Sequence, residues 1–234
     1  MLSEAGHGGQ PGKERARVEA KTVHRVQSVR HLTDSAFILR VDRHGLPAVA
    51  GQCATVGAAG SGVNREYSLY SGDHDPFFEF LVKEVEEGQV SPALKKCVPG
   101  DPVELDGPYG RFVVQAPDDR SRRYLFVATG VGIAPFHGFA GSYPGLDYLL
   151  LHGVRRLAER YEKEFYPPGR YIACVSGEPG GDFSGRATDY LRSHPVDPQT
   201  YCYLCGNSAM VAEAYEILRA QGLGGDRLFT EVFF

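Results

Sequence analysis

Tyr124-Leu-Phe-Val-Ala-Thr-Gly-Val-Gly-Ile-Ala-Pro135 is the stretch on which the reading of the chain turns. Its first five residues form an unbroken apolar run, the mark of a strand buried on both faces. A glycine pair follows at once, and Pro135 then stands where a first helical turn accepts proline. The same grammar recurs downstream. Tyr148-Leu-Leu-Leu-His152 and the segments 171–175 and 201–204 read as strands, with helix-like stretches at 156–165, 186–193 and 208–221. Strands that alternate with helices imply a parallel sheet covered on both faces.

Upstream of the charged linker Asp118-Asp-Arg-Ser-Arg-Arg123 the pattern changes. Short β-type runs bounded by turn residues occupy 22–30, 36–42, 52–57, 66–71, 77–83, 102–105 and 111–114, which predicts an antiparallel barrel or sandwich. One helix interrupts them, starting near Ser91 and ending before Pro99-Gly100. The expected organisation is therefore a tail-like segment at 1–17, a β-barrel domain over 18–117 and an α/β domain over 118–234.

The 234 residues carry a net charge of −4 with no block of like charges, which argues against nucleic-acid binding. No apolar run approaches a membrane span, and a cytoplasmic location is expected. Five cysteines, mostly inside apolar runs, fit a reducing compartment. Cys202 and Cys205 form a CxxC, but the remaining cysteines stand alone, so no metal site is expected.

Four segments carry chemistry. Arg65-Glu-Tyr-Ser68 sets a cation, a flat ring and a hydroxyl within four positions of an extended segment, which are the groups a flavin needs. Strand alternation sends Glu66 and Ser68 to one face and Arg65 and Tyr67 to the other. Gly88-Gln-Val-Ser91 reads as a glycine turn opening into a helix capped by Ser91, whose free N–H groups suit a pyrophosphate. Thr129-Gly-Val-Gly132 lies at a strand end, where the ligand crevice of an open α/β sheet is found. Leu204-Cys-Gly-Asn-Ser-Ala-Met210 is a second strand end running into a helix. From residue types alone, an ordinary helix cap, a structural turn and a buried cysteine explain the last three segments as well.

Taken in order, these motifs resemble those of the ferredoxin–NADP reductase superfamily, over nearly the whole chain after residue 20. Arg65-Glu66-Tyr67-Ser68 is similar to the family's flavin motif and Gly88-Gln89-Val90-Ser91 to its flavin pyrophosphate turn. Gly107-Pro-Tyr-Gly-Arg-Phe112 is similar to the segment closing the flavin domain. Thr129-Gly130-Val131-Gly132, with Pro135, resembles the pyridine-nucleotide pyrophosphate loop. Cys205-Gly206-Asn207, with Met210, resembles the nicotinamide-site motif, and Glu231 with Phe233 and Phe234 the aromatic tail.

The resemblance implies an N-terminal antiparallel flavin-binding β-barrel followed by a C-terminal Rossmann-like parallel-sheet domain for the nicotinamide nucleotide. It also implies hydride transfer between NAD(P)H and flavin, with Ser68, Cys205 and Glu231 at the reacting centre. Tyr67 would stack on one flavin face and the terminal aromatic would cover the other. FAD is expected over FMN. NADP(H) is favoured over NAD(H), with Arg155, Ser176 and Arg186 as contacts to the 2′-phosphate, although Gly177 stands where the family commonly has arginine. The expected partner is ferredoxin, flavodoxin or another redox protein. The alternatives are a diaphorase, flavin or ferric reductase with small acceptors, or a relay subunit docked on an oxygenase or dehydrogenase. Lys95, Lys96, Arg122, Arg123, Arg155 and Arg156 are candidates for a basic docking patch.

Overall fold

Residues 22–233 are described by the computed structural model; the tail at 1–17 and Phe234 lie outside the described residues. The chain first lays down β1 (Thr22–His31), β2 (Ala36–Asp42), β3 (Cys53–Ala58), β4 (Arg65–Ser68) and β5 (Phe77–Lys83). The short helix α1 (Val90–Lys95) and β6 (Pro102–Tyr109) follow. These six strands form one antiparallel sheet in the order β4-β3-β6-β1-β2-β5. A bridge between Leu69 and Phe80, with the Tyr70 N–H donating to Glu79 O at 2.7 Å, joins the end of β4 to β5 and closes the barrel.

The second half supplies β7 (Arg123–Thr129), α2 (Ala134–Ser142), β8 (Asp147–Val154), β9 (Tyr171–Val175) and the two-residue β10 (Phe183–Ser184). Then come α3 (Ala187–Ser193), β11 (Tyr201–Asn207), α4 (Ser208–Ala220) and β12 (Leu228–Phe233). All six strands are parallel, in the order β10-β9-β8-β7-β11-β12. No helix among the described residues is long and apolar enough to cross a membrane.

Burial on both faces explains the continuous apolar runs Ala36–Leu39 in β2 and Tyr124–Ala128 in β7. Phe37, Leu39 and Val41 of β2 fill the barrel, whereas Ala36 and Ile38 point out of it into a second core. That second core is shared with the other domain. Tyr124, Phe126 and Ala128 of β7 enter it together with Tyr203 and Cys205 of β11 and the α2 residues Phe136 and Phe139. The opposite face of the parallel sheet, with Leu125, Val127, Cys202 and Leu204, packs under α3 and α4. The two domains thus meet through side chains as fully buried as those inside either one.

Two segments differ from the sequence reading for a visible reason. Residues 111–114 form no strand, because this connection crosses the interdomain core: Phe112 is buried against Phe139, and the Tyr203 hydroxyl donates to Val113 O at 3.2 Å and accepts from Gln115 N at 2.9 Å. The stretch 156–165 breaks into two 3₁₀ turns, Leu157–Glu159 and Lys163–Phe165, around Glu162 at φ +46°. Glu162 leaves the helical path to reach the barrel. It accepts from the Tyr70 hydroxyl at 2.8 Å and pairs with Arg30 at 2.7 Å.

Gly51 sets how closely the domains approach. Its φ is +89°, and a Cβ there would stand 1.9 Å from Phe112 O and 2.5 Å from the Phe139 ring. Gly51→Ala is expected to destabilise the protein by about 3 kcal/mol or more, combining left-handed strain with overpacking. A lowered midpoint in urea denaturation reads this out; an unchanged midpoint refutes the close-approach account.

Candidate functional site

In the parallel sheet the chain starts at β7, adds strands on one side through β10, then returns to place β11 and β12 on the other. This reversal leaves a crevice beyond the carboxyl ends of β7 and β11, where no crossover covers the sheet. A cleft of about 1350 Å³ opens there. The barrel supplies its other wall, through β4 and the turn before α1.

On the barrel wall, Arg65 is exposed, and its guanidinium donates to Asn64 O at 2.9 Å with no carboxylate partner among the described residues. Tyr67 is half-buried over the barrel core, and burial pushes its hydroxyl up to about 12. Glu66 is exposed and accepts from the Tyr109 hydroxyl at 3.3 Å. Gly88, Gln89, Val90 and Ser91 line the cleft at the start of α1. Ser91 does not cap this helix. The helix begins one residue earlier, at Val90, and the Ser91 hydroxyl accepts from Val85 N at 2.9 Å, closing the loop that precedes the helix. The N–H groups of Val90 and Ser91 at the start of α1 have no intrahelical acceptors, and both residues line the cleft.

On the α/β wall the two glycines after β7 separate in role. Gly130 has φ +52° and nothing within 4 Å of where a Cβ would lie, so it leaves space open. Gly132 is buried, and a Cβ there would stand 2.5 Å from Cys205 O, so it serves the approach of one backbone to another. Pro135 is likewise buried in α2 and does not line the cleft. Thr129 Oγ1 accepts from Asn207 N at 3.0 Å and ties the two strand-end loops together. Gly206 at φ +129° permits that contact, because a Cβ would sit 2.4 Å from Thr129 Oγ1. Asn207 Oδ1 caps α4 by accepting from Ala209 N at 3.0 Å and Met210 N at 3.4 Å.

Ser68, Cys205 and Glu231, far apart in sequence, converge on one oxygen. Ser68 Oγ donates to Glu231 Oε2 at 2.9 Å, and Cys205 Sγ donates to the same oxygen at 3.7 Å. Burial raises the Glu231 carboxyl above 4.5, opposed by these two bonds and reinforced by the nearby Glu66 charge. Burial also holds the Cys205 thiol well above 9, so it stays protonated. Cys205 is fully buried and reaches the cleft through its partners, not by its own surface. Phe233, paired with Asn207 at the end of β12, lines the cleft; Phe234 lies outside the described residues.

Arg155, Ser176 and Arg186 stand at the ends of β8 and β9 and the start of α3, and all three line the cleft. Among the described residues neither arginine has a carboxylate partner. Ser176 Oγ donates to Val154 O at 3.3 Å. Gly177 has a local cause: a Cβ would lie 2.6 Å from Arg155 O, to which the Gly177 N–H donates at 2.9 Å. The proposed basic docking patch does not assemble as a free set. Lys95 is neutralised by Glu84, Arg122 by Asp119 at 3.0 Å, and Arg123 faces Asp147 at 3.7 Å.

His152, which the sequence reading took only as the end of a strand, supports the Gly130 loop. Its fully buried ring contacts Gly130 O through Nε2 and the Tyr171 hydroxyl through Nδ1, both at 2.8 Å. A carbonyl only accepts, so Nε2 carries the proton and Nδ1 accepts from Tyr171. Burial pushes this histidine down to about 4. Its neutral form therefore contributes stability that is full above an unfolded value near 6.5 and is lost as pH falls through about 4. His152→Asn should flatten that part of the stability–pH profile and cost about 1–3 kcal/mol at pH 7. Urea denaturation repeated from pH 4 to 8 checks both.

A family model described as an oxidoreductase FAD-binding domain matches residues 21–114. The flavodoxin/ferredoxin–NADP reductase of Shigella flexneri is 30% identical over 215 residues, covering 81% of this chain and 86% of that protein. The reductase subunit of an aromatic O-demethylase from Amycolatopsis sp. is 30% identical over 201 residues, 79% of this chain. The chain spans 60% of that relative's length. In fold, the chain matches a ferredoxin NADP+ reductase from Neisseria gonorrhoeae, solved with bound FAD and NADP, at a TM-score of 0.82, covering 92% of this chain and 100% of that one at 22% identity. With the barrel, the parallel sheet and the shared crevice in place, the chain belongs to the ferredoxin–NADP reductase superfamily of oxidoreductases.

Proposed function

We propose that this protein is a flavin-dependent reductase that takes hydride from NADPH onto FAD and passes electrons singly to a carrier protein such as ferredoxin or flavodoxin. The observation that carries this reading is the single cleft in which Arg65–Ser68, the turn at 88–91, the Thr129–Gly130 loop, Asn207 and Glu231 meet. The residues fit the cofactor. An arginine free of carboxylates and the open N–H groups of α1 suit phosphates, and the cleft volume admits a dinucleotide alongside a second nucleotide. A pyrophosphate at α1 favours FAD over FMN, which lacks one.

When bound, FAD supplies the exchange between two-electron and one-electron chemistry. The chain binds, orients and manages a proton. Tyr67 offers its ring as a stacking face, and Phe233 lines the same cleft. Ser68 and Glu231 both line the cleft and share a hydrogen bond, so the serine hydroxyl can pass a proton between a ligand and the Glu231 carboxyl. The raised affinity of that carboxyl for protons suits the exchange. Cys205 holds the Glu231 oxygen in place from beneath.

For the nucleotide, Arg155 and Arg186 form the cationic end of the cleft, which favours the 2′-phosphate of NADP(H) over NAD(H). Gly177 leaves the charge to these two side chains. A cytoplasmic site of action agrees with five free cysteines. A second reading, a relay subunit serving an oxygenase, draws on the Amycolatopsis relative, itself a reductase subunit.

The purified protein is expected to be yellow, to release FAD on denaturation and to bleach faster with NADPH than with NADH; release of FMN alone, or failure to take up either flavin, refutes the assignment. Arg155→Ala and Arg186→Ala should each lower kcat/KM for NADPH about 10-fold or more while leaving NADH within about two-fold. An unchanged NADPH/NADH ratio in both removes them from the coenzyme site.

A further inference from the structure

Outside the cleft, one side-chain cluster has no part in the chemistry above. It lies at the far end of β2, about 20 Å along the strand from Ala36, whose partner Lys83 borders the cleft. His24 of β1 is fully buried, with Nδ1 2.7 Å from Asp42 O and 3.2 Å from Asp42 Oδ1. His44, just beyond β2, brings Nε2 to 3.1 Å from the same Oδ1. The three donor atoms lie within 4.8 Å of one another, and the two imidazole centroids are 4.9 Å apart.

Two features hold this arrangement in place, and a third leaves the outer nitrogen of the His24 ring without a partner among the described residues. The Arg25 N–H donates to Asp42 Oδ1 at 3.0 Å and orients the carboxylate, while the Arg25 guanidinium turns away to Gly100 O at 3.1 Å and leaves the charge unneutralised. His44 sits at φ +50°, a left-handed conformation that costs a non-glycine residue about 1–2 kcal/mol and here folds its ring back over Asp42. His24 Nε2, buried, has no hydrogen-bond partner among the described residues. A tetrahedral ion with arms of about 2.0–2.2 Å has donor–donor edges of roughly 3.3–3.6 Å. The measured 3.1 and 3.2 Å edges to Asp42 Oδ1 need to open by a few tenths of an ångström, and the third edge, between His24 Nδ1 and His44 Nε2, lies within 4.8 Å and must come to the same span.

We propose that His24, Asp42 and His44 bind one divalent transition ion of the zinc class, which staples the start of β1 to the turn after β2. Two imidazoles and one carboxylate select zinc, nickel or copper over magnesium or calcium. The ion takes the lone pair of His24 Nδ1, whose proton moves to Nε2; the bond from Nδ1 to Asp42 O is exchanged for the metal bond. Water completes the fourth position on the side where His44 is half exposed. Sequence spacing hides the set, because His24 and Asp42 meet only through the pairing of Val26 with Val41.

The test uses the flavin-loaded protein, stripped with chelator and titrated with Zn²⁺ alone by calorimetry and with Co²⁺ by visible absorption. One equivalent should bind at micromolar concentration, raise Tm and give tetrahedral ligand-field bands without thiolate charge-transfer absorption. His44→Asn, chosen because asparagine tolerates the left-handed backbone, and Asp42→Asn should each weaken binding at least about 10-fold and abolish the Tm gain while the unliganded protein stays folded. Absence of saturable binding, binding unchanged in both variants, or thiolate bands pointing to the cysteines each overturns the proposal.

Discussion

The apolar core shared between the two domains is the constraint on which the rest of this structure depends. Phe112, Phe136, Phe139 and Tyr203 lie in it together, with ring centroids 5.5–6.1 Å apart. Each buried aromatic ring of this size contributes on the order of 2–3 kcal/mol, so the interface is held as firmly as a domain interior. Around it, polar bonds set the angle. Glu162 receives Tyr70 and Arg30, His137 stacks between Tyr70 at 3.7 Å and Phe165 at 4.0 Å, and Asp73 accepts from the Ser142 and Tyr143 hydroxyls at 3.1 Å. Two walls of a cleft come from separate domains, and their separation is only as well defined as this contact. Close approach at Gly51 and Gly138 is therefore part of the site, although neither residue faces it.

Within the cleft, one carboxylate oxygen ties the two walls together. Glu231 Oε2 collects Ser68 from the barrel and Cys205 from the parallel sheet, so the hydrogen bond that positions the serine also crosses the domain boundary. The same burial that raises the Glu231 carboxyl keeps Cys205 a thiol and His152 neutral. Desolvation acts on all three in the direction that removes charge, while the cations lining the cleft, Arg65, Lys83, Arg155 and Arg186, are exposed.

Much of this was legible in the chain. The apolar run at 124–128 and the glycine pair after it are local signals, since strand burial and backbone freedom are written in consecutive residues. Both the barrel and the parallel sheet follow from such signals, as do the segments that line the cleft. The misreadings have a common origin. Ser91 looks like a helix cap until Val85 N takes its hydroxyl; 156–165 looks helical until Glu162 turns toward the barrel; and 111–114 looks like a strand until Phe112 and the Tyr203 hydroxyl hold it between the domains. In each case a distant partner outbids the local preference. β12 was likewise not assigned as a strand, because Leu228–Phe233 mixes polar and apolar residues at an edge that only β11 defines.

By itself, then, the sequence determined the two kinds of sheet, the order of the motifs and the residue types at each strand end, because these rest on periodicity, turn chemistry and side-chain character over a few positions. Tertiary structure alone decided that Ser68, Cys205 and Glu231 share an oxygen, that Gly132 serves packing while Gly130 leaves space, and that His152 steadies the loop. It also decided which charges stay free, since Lys95 and Arg122 found carboxylates while Arg155 and Arg186 did not. The physical reason is the same throughout: contacts between residues separated by tens to more than a hundred positions depend on strand register and domain approach, neither of which a local window of sequence contains.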